Sequence, residues 1–102
     1  MSGPEATLVG HCRQMVRDFG GDLELVSQRR AKGSGTTVGF PDGVLYRRGC
    51  VYLIEFKSED GKLTRGQELA IMCRAAEGVA TYVVASEQQF ADLLGGKLRA
   101  AD

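Results

Sequence analysis

An excess of either charge, the spacing of a metal finger and long apolar runs are all missing from this chain of 102 residues. Lys and Arg together number 13 and so do Asp and Glu, so total charge does not announce a nucleic-acid binder. His11 is the single histidine, and the three cysteines, Cys12, Cys50 and Cys73, form no CxxC pair. That argues against a structural zinc site and a disulfide framework, and it fits a reducing cytoplasm. No apolar segment is long enough to span a membrane, and the N-terminus lacks the apolar region of a signal peptide. No repeat or linker divides the chain, so residues 1–102 read as one domain.

Composition is ordinary, with 43% hydrophobic and 25% charged residues, which suits a globular domain with one small core. The charge is unevenly placed. From Gln28 to Arg48 the charged residues are Arg29, Arg30, Lys32, Arg47 and Arg48, against the single acid Asp42. A local basic patch attracts phosphate even on a neutral chain. Arg29, Arg30 and Lys32 are therefore candidate phosphate contacts, although a solvated loop would look the same. "GSGTTVG" at 33–39 lacks both G-x-G-x-x-G spacing and a P-loop lysine, which excludes nucleotide binding there.

Leu8, Cys12, Met15, Val16 and Phe19 recur at helical spacing between Pro4 and Gly20-Gly21, predicting a helix over 4–19. Leu23–Ser27 reads as a strand. Val44–Tyr46 and Val51–Phe56 read as a hairpin turning through Arg47-Arg48-Gly49-Cys50. Thr64–Ala76 is a second helix, opened by a Thr64-x-x-Gln67 capping box. Its expected core stripe is Leu69, Met72, Cys73 and Ala76. Val79–Ala85 reads as a strand buried on both faces, and Ser86 caps a last helix carrying Phe90, Leu93 and Leu94. His11 is expected to be structural or exposed, and the cysteines to be small core residues. The order is αβββαβα, an α/β domain.

The chemistry concentrates in the hairpin. Side chains alternate along a strand, so Val51, Leu53, Glu55 and Lys57 share one face, and Tyr52, Ile54 and Phe56 the other. A turn on Arg48-Gly49 makes paired positions sum to 97, because 47 faces 50. Asp42 then lies opposite Glu55, with Cβ atoms about 4.5–5.5 Å apart. Two carboxylates that close repel unless a divalent cation joins them, and carboxylates with water are what Mg²⁺ prefers. Lys57 points toward the same place. Two acids, a lysine and a hard cation suit phosphodiester hydrolysis, with the lysine stabilising charge on the transition state. The plainer readings are Asp42 as a turn residue after Pro41, and Glu55 with Lys57 as a solvent-facing pair. Val51 and Leu53 on the same face argue against full exposure.

"PD" at Pro41-Asp42 followed by "EFK" at Glu55-Phe56-Lys57 resembles the PD-(D/E)xK nuclease signature, and the element order resembles the restriction-endonuclease-like core, a mixed sheet flanked by helices. "GFPD" at 39–42, "IEFK" at 54–57 and "LTRGQ" at 63–67 narrow the resemblance to the VRR-NUC (virus-type replication-repair nuclease) domain. The resemblance implies Mg²⁺ or Mn²⁺ held by Asp42, Glu55 and Glu5, with Lys57 acting on the water and transition state and Gln67 completing the site. Gln67 also serves the capping box, and Glu5 suits a helix N-terminus in any case. Phe56 stands where the family typically has valine. The implied activity is cleavage of structured DNA, four-way (Holliday) junctions above all, by a homodimer acting in DNA repair. A single-strand or flap nuclease, a non-catalytic nucleic-acid-binding module and a small scaffolding subunit are the alternatives. Tyr52, Ile54 and Phe56, with Tyr82 and Val84, are expected to leave spare apolar surface for the dimer.

Overall fold

The structure, a computed structural model, describes residues 4–26, 40–57 and 61–95, with side chains from residue 6 onward. Its elements are α1 (Pro4–Phe19), β1 (Asp22–Leu25), β2 (Gly43–Arg47), β3 (Cys50–Phe56), α2 (Arg65–Ala76), β4 (Thr81–Val84) and α3 (Glu87–Leu94). The order is the predicted αβββαβα. The strands form one sheet in the order β1-β2-β3-β4. The β1–β2 and β2–β3 pairs are antiparallel, whereas β3–β4 is parallel, so the sheet is mixed. Among the described residues no helix is long and apolar enough to cross a membrane.

Register follows from the turn. Arg48 and Gly49 have φ of 51° and 80°, the left-handed pair that a two-residue hairpin needs. Arg47 therefore faces Cys50, and the ladder runs back to Gly43 opposite Ile54, which is the predicted register. Gly43 packs tightly: a Cβ there would lie 3.2 Å from the Glu24 carbonyl oxygen and 3.5 Å from the Phe56 ring.

One sheet face carries the core. Leu8, Cys12 and Val16 of α1 and Phe90 and Leu93 of α3 pack on Leu45, Ile54, Phe56 and Val84. Burying one such side chain stabilises the fold by about 1.5–3 kcal/mol. The predicted spare apolar face is thereby corrected. Ile54 and Val84 are 0% exposed and Phe56 is 1% exposed under the two helices, while Tyr52 and Tyr82 pack edge to face with centroids 5.4 Å apart. Arg47 ties the covering helices to the sheet. Its Nη1 donates to the carbonyls of Phe19 at 2.9 Å and Gly20 at 2.6 Å, and its Nε to that of Leu94 at 3.3 Å. A cation at helix C-termini is favourable, so Arg47→Ala is expected to lower unfolding free energy by about 1–3 kcal/mol in a urea titration. An unchanged midpoint would mean that water replaces the clamp.

The opposite face meets α2, and here a second expectation is corrected. Leu69 is 42% and Met72 55% exposed, and Cys73 and Ala76 are also exposed. The inward face consists of Gln67, Ala70, Ile71 and Arg74, of which only Ile71 is buried. The predicted stripe is real but points at solvent, because the sheet beneath α2 presents Glu55 and Thr81, which need polar partners. Smaller differences follow the same tertiary logic. β1 spans Asp22–Leu25 rather than Leu23–Ser27, with Ser27 outside the described residues. β4 is an edge strand whose Tyr82 and Val83 are half-buried, not a strand buried on both faces. Of the cysteines only Cys12 is in the core, and Phe19, expected in the α1 stripe, is 67% exposed.

Candidate active site

Asp42 precedes β2 and reaches across to β3. Its carbonyl oxygen accepts a bond from the Val26 N–H at 2.8 Å, and its Oδ2 accepts from the Phe56 N–H at 2.9 Å. The side chain thus takes the place of a ladder bond just beyond the last paired residues and fixes its carboxylate beside Glu55. A plain turn residue would have no such cross-strand role.

Glu55 lies near the end of β3, opposite Val83 of β4. It is 1% exposed, so it is not one of a solvent-facing pair. Val51 is 61% exposed; burial comes from α2 above the site rather than from that apolar neighbour. The Gln67 amide donates to Glu55 Oε1 at 3.0 Å, whereas Oε2 is buried without a hydrogen-bond partner. Burial pushes the Glu55 carboxyl up to about 8, and the neighbouring Asp42 carboxyl pushes the same way. Lys57 and Arg74 oppose the rise. A carboxyl raised this far keeps its proton near neutral pH, so in the metal-free protein Glu55 stands beside Asp42 as a neutral acid.

Gln67 serves two partners at once. Its backbone N–H donates to Thr64 Oγ1 at 3.1 Å, its Oε1 accepts from the Thr64 N–H at 2.8 Å, and its Nε2 reaches Glu55. The capping box therefore orients the amide that holds the carboxylate. Lys57 is half-buried, and its backbone N–H donates to the Val84 carbonyl at 2.9 Å, extending the β3–β4 pairing through the site. Arg74, two helical turns beyond Gln67, donates from Nε to Thr81 Oγ1 at 2.8 Å. The sequence reading passed over Arg74 and Thr81; the signal available was the seven-residue spacing from Gln67, which puts Arg74 on the same helix face.

The structure thus brings together Asp42, Glu55, Lys57 and Gln67. Glu5 lies in α1 with its side chain outside the described residues, and Arg29, Arg30 and Lys32 are also outside them. Among the described residues no three His, Cys, Asp or Glu side chains form a metal-holding group. Two carboxylates nonetheless fit Mg²⁺, which is commonly held by one or two carboxylates, waters and substrate phosphate. The buried, unpartnered Glu55 oxygen beside a second carboxyl is a place where a cation can replace a proton. Cys12 and His11 stand apart from this site. Burial, with a smaller effect of Glu87, pushes the Cys12 thiol up to about 12, and His11 bonds Glu87 at 2.7 Å on the surface.

Metal-free stability should carry the mark of Glu55. Its folded pKa stands above the ordinary 4.5, so the stabilising protonated form is fully favoured below about 4.5. The contribution is lost as pH rises toward and through about 8. In chelator, Tm is expected to fall by several degrees across that window, while Glu55→Gln, which cannot ionise, flattens this part of the profile. Differential scanning fluorimetry reads both; parallel profiles would mean that Glu55 is already ionised in the folded protein.

Asp42, Glu55, Lys57 and Gln67 thus meet beside one end of the mixed sheet of an α/β fold. The chain has the fold of a solved "VRR_NUC domain": the two superpose with a TM-score of 0.73 at 22% identity, over 92% of this chain and 97% of the other. At that identity the likeness is one of fold. No family model and no curated protein matches the chain.

Proposed function

We propose that the chain is a Mg²⁺- or Mn²⁺-dependent endonuclease that hydrolyses phosphodiester bonds in structured DNA, with four-way junctions as the favoured substrate. The observation that carries the reading is the buried Glu55 carboxyl, its Oε2 without a hydrogen-bond partner, beside Asp42 and with Lys57 two residues further on. Asp42 and Glu55 would hold the cation, with Glu5 as a third acid from α1. When bound, the cation supplies Lewis-acid polarisation of the phosphate and lowers the pKa of water. Gln67 holds Glu55 in orientation, and Asp42 is held by the Phe56 amide. Lys57 orients the attacking water and stabilises charge that develops on the phosphate oxygens. Water adds to phosphorus as the bond to the 3′-oxygen breaks, leaving a 3′-hydroxyl and a 5′-phosphate. Arg29, Arg30 and Lys32 would grip backbone phosphates without reading bases. Symmetric cuts in a branched substrate need two sites, so the acting species is a homodimer. Three free thiols suit a reducing cytoplasm, and cleavage of junctions suits a role in DNA repair.

The test is incubation with end-labelled linear, flap and four-way-junction DNA in Mg²⁺, Mn²⁺ or chelator. Metal-dependent cuts concentrated on the junction are expected; preference for flaps or single strands would replace the substrate, and binding without cleavage would make the chain a non-catalytic module. The basic residues contribute a separate expectation. Replacing Arg29, Arg30 and Lys32 by alanine should flatten the log–log salt dependence of DNA affinity by up to about 0.9 per lost phosphate contact. Filter binding over a salt series reads the slope, and an unchanged slope would take these three residues off the DNA.

A further inference from the structure

α2 leaves part of its sheet face open. Through Gln67 and Arg74 it stands over Glu55 and Thr81. Further along the same face lie Leu53 and Val51 of β3, paired with Val44 and Tyr46 of β2. Val44 and Leu53 are half-buried, but Val51 is 61% and Tyr46 40% exposed. The Tyr46 ring is nonetheless fixed. Its hydroxyl donates to Glu24 Oε1 at 2.7 Å, and Glu24 comes from β1 on this face, opposite Val44. An open cavity of about 410 Å³ lies beside the ring, with Tyr46, Val51, Arg48 and Gly49 in its wall.

We propose that Tyr46 and Glu24 form a subsite for one unpaired guanine of a DNA strand, the base stacking on Tyr46 and its edge donating to Glu24. The proposal deepens the nuclease reading and rests on it for the choice of DNA. An aromatic ring held at its far end is a stacking surface, and every base has a face to lay on it. Bases inside a duplex are already stacked, so the base that reaches Tyr46 is one splayed out at a branch or in a single strand. The acids decide what lies there. Asp22 stands opposite Tyr46 and Glu24 bonds it, and both are exposed. They repel a phosphate but accept from base N–H groups. An ionised carboxylate has about four lone-pair sites, so Glu24 can accept from a base while it holds Tyr46. Guanine offers two adjacent donors, N1–H and the 2-amino group. Thymine offers one, set between two carbonyl oxygens that a carboxylate repels. Arg48, exposed at the hairpin turn, puts a cation in the cavity wall for the phosphate of that nucleotide. Val51, the partner of Tyr46, precedes Glu55 by four residues, about 13 Å along the strand. That length is about four base rises, so the subsite meets the strand a few nucleotides from the carboxyl pair.

Fluorescence anisotropy in chelator, where metal-dependent cutting is silent, tests the subsite by binding alone. The probes are a labelled oligothymidine and the same strand with one guanine at its centre. The wild type should bind the guanine strand about tenfold more tightly, the discrimination expected of a paired hydrogen bond to a base edge. Tyr46→Leu keeps apolar bulk at an exposed position and removes the ring; it should keep the wild-type Tm and weaken binding of both strands by about tenfold. Glu24→Gln keeps an oxygen for the Tyr46 hydroxyl and turns an acceptor into a donor, so the preference for guanine should vanish at unchanged Tm. Equal wild-type affinity for the two strands, undiminished binding by Tyr46→Leu, or a guanine preference that survives in Glu24→Gln would overturn the proposal. If these binding results hold and no DNA is cut in Mg²⁺ or Mn²⁺, the nuclease reading fails and the subsite stands. If junctions are cut and neither variant alters binding, the subsite fails and the nuclease reading stands.

Discussion

Asp42→Ala is expected to reduce metal-dependent cleavage to the level of a protein-free control. The residue has two jobs that can be separated. Its charge makes half of the carboxyl pair, and its Oδ2 accepts the Phe56 amide proton at 2.9 Å. Asp42→Asn keeps an oxygen acceptor for that amide and removes the charge, so it should hold the fold and still lose cleavage. Asp42→Ala also leaves the Phe56 N–H without its partner, which costs about 1–3 kcal/mol if water does not replace it. Burial is the larger cause of the Glu55 rise and stays in the Asn variant, but the contribution of the Asp42 carboxyl is lost, so the metal-free variant should depend somewhat less on pH. Initial rates on labelled DNA, read beside thermal melts, distinguish these outcomes. A folded Asn variant that cuts at the wild-type rate would take Asp42 out of the site.

Lys57→Ala should show a different loss. An ammonium has only donors and cannot ligate a cation, so metal and DNA affinities should stay close to wild type. The chemical step should slow by roughly 10²–10³-fold, the typical consequence of removing one group aimed at transition-state charge. Because Lys57 is also one of the two cations that lower the Glu55 pKa, the variant's remaining activity should shift toward higher pH. Single-turnover rates with saturating DNA isolate the step from binding. Weakened DNA binding with normal turnover of bound substrate would make Lys57 a phosphate anchor instead.

The parts of this fold that were legible in the sequence are those set by local geometry. The Arg48-Gly49 turn fixes the register, and the register alone brings Asp42 to Glu55. Thr64 and Gln67 announce the start of α2 through their spacing, and Gly20-Gly21 announces the end of α1, where both have positive φ. The orientation of α2 was not legible. Periodicity reports that an apolar stripe exists, but it does not report which neighbour the stripe meets. Here the sheet under the helix carries a buried acid and a buried threonine, so the polar face turned inward. The same blindness hid Arg74 and Thr81, whose bond joins residues from separate elements. It also led to the core face of β3 and β4 being taken as spare surface, because the depth of cover given by α1 and α3 is a property of packing. The carboxyl pair was readable for a simple reason: burying a glutamate in a strand is costly enough to require an explanation nearby.

Glu55 keeps its proton beside Asp42 only until a divalent cation takes its place. Calorimetric titration of the purified protein with Mn²⁺ tests it most directly, repeated in buffers of different ionisation enthalpy near neutral pH. The account predicts saturable binding accompanied by release of about one proton, as expected when a cation displaces one from its ligands. It also predicts loss of both signals in Asp42→Asn and Glu55→Gln. Equal Mn²⁺ affinity in the wild type and both variants, or binding with no proton released, would contradict it.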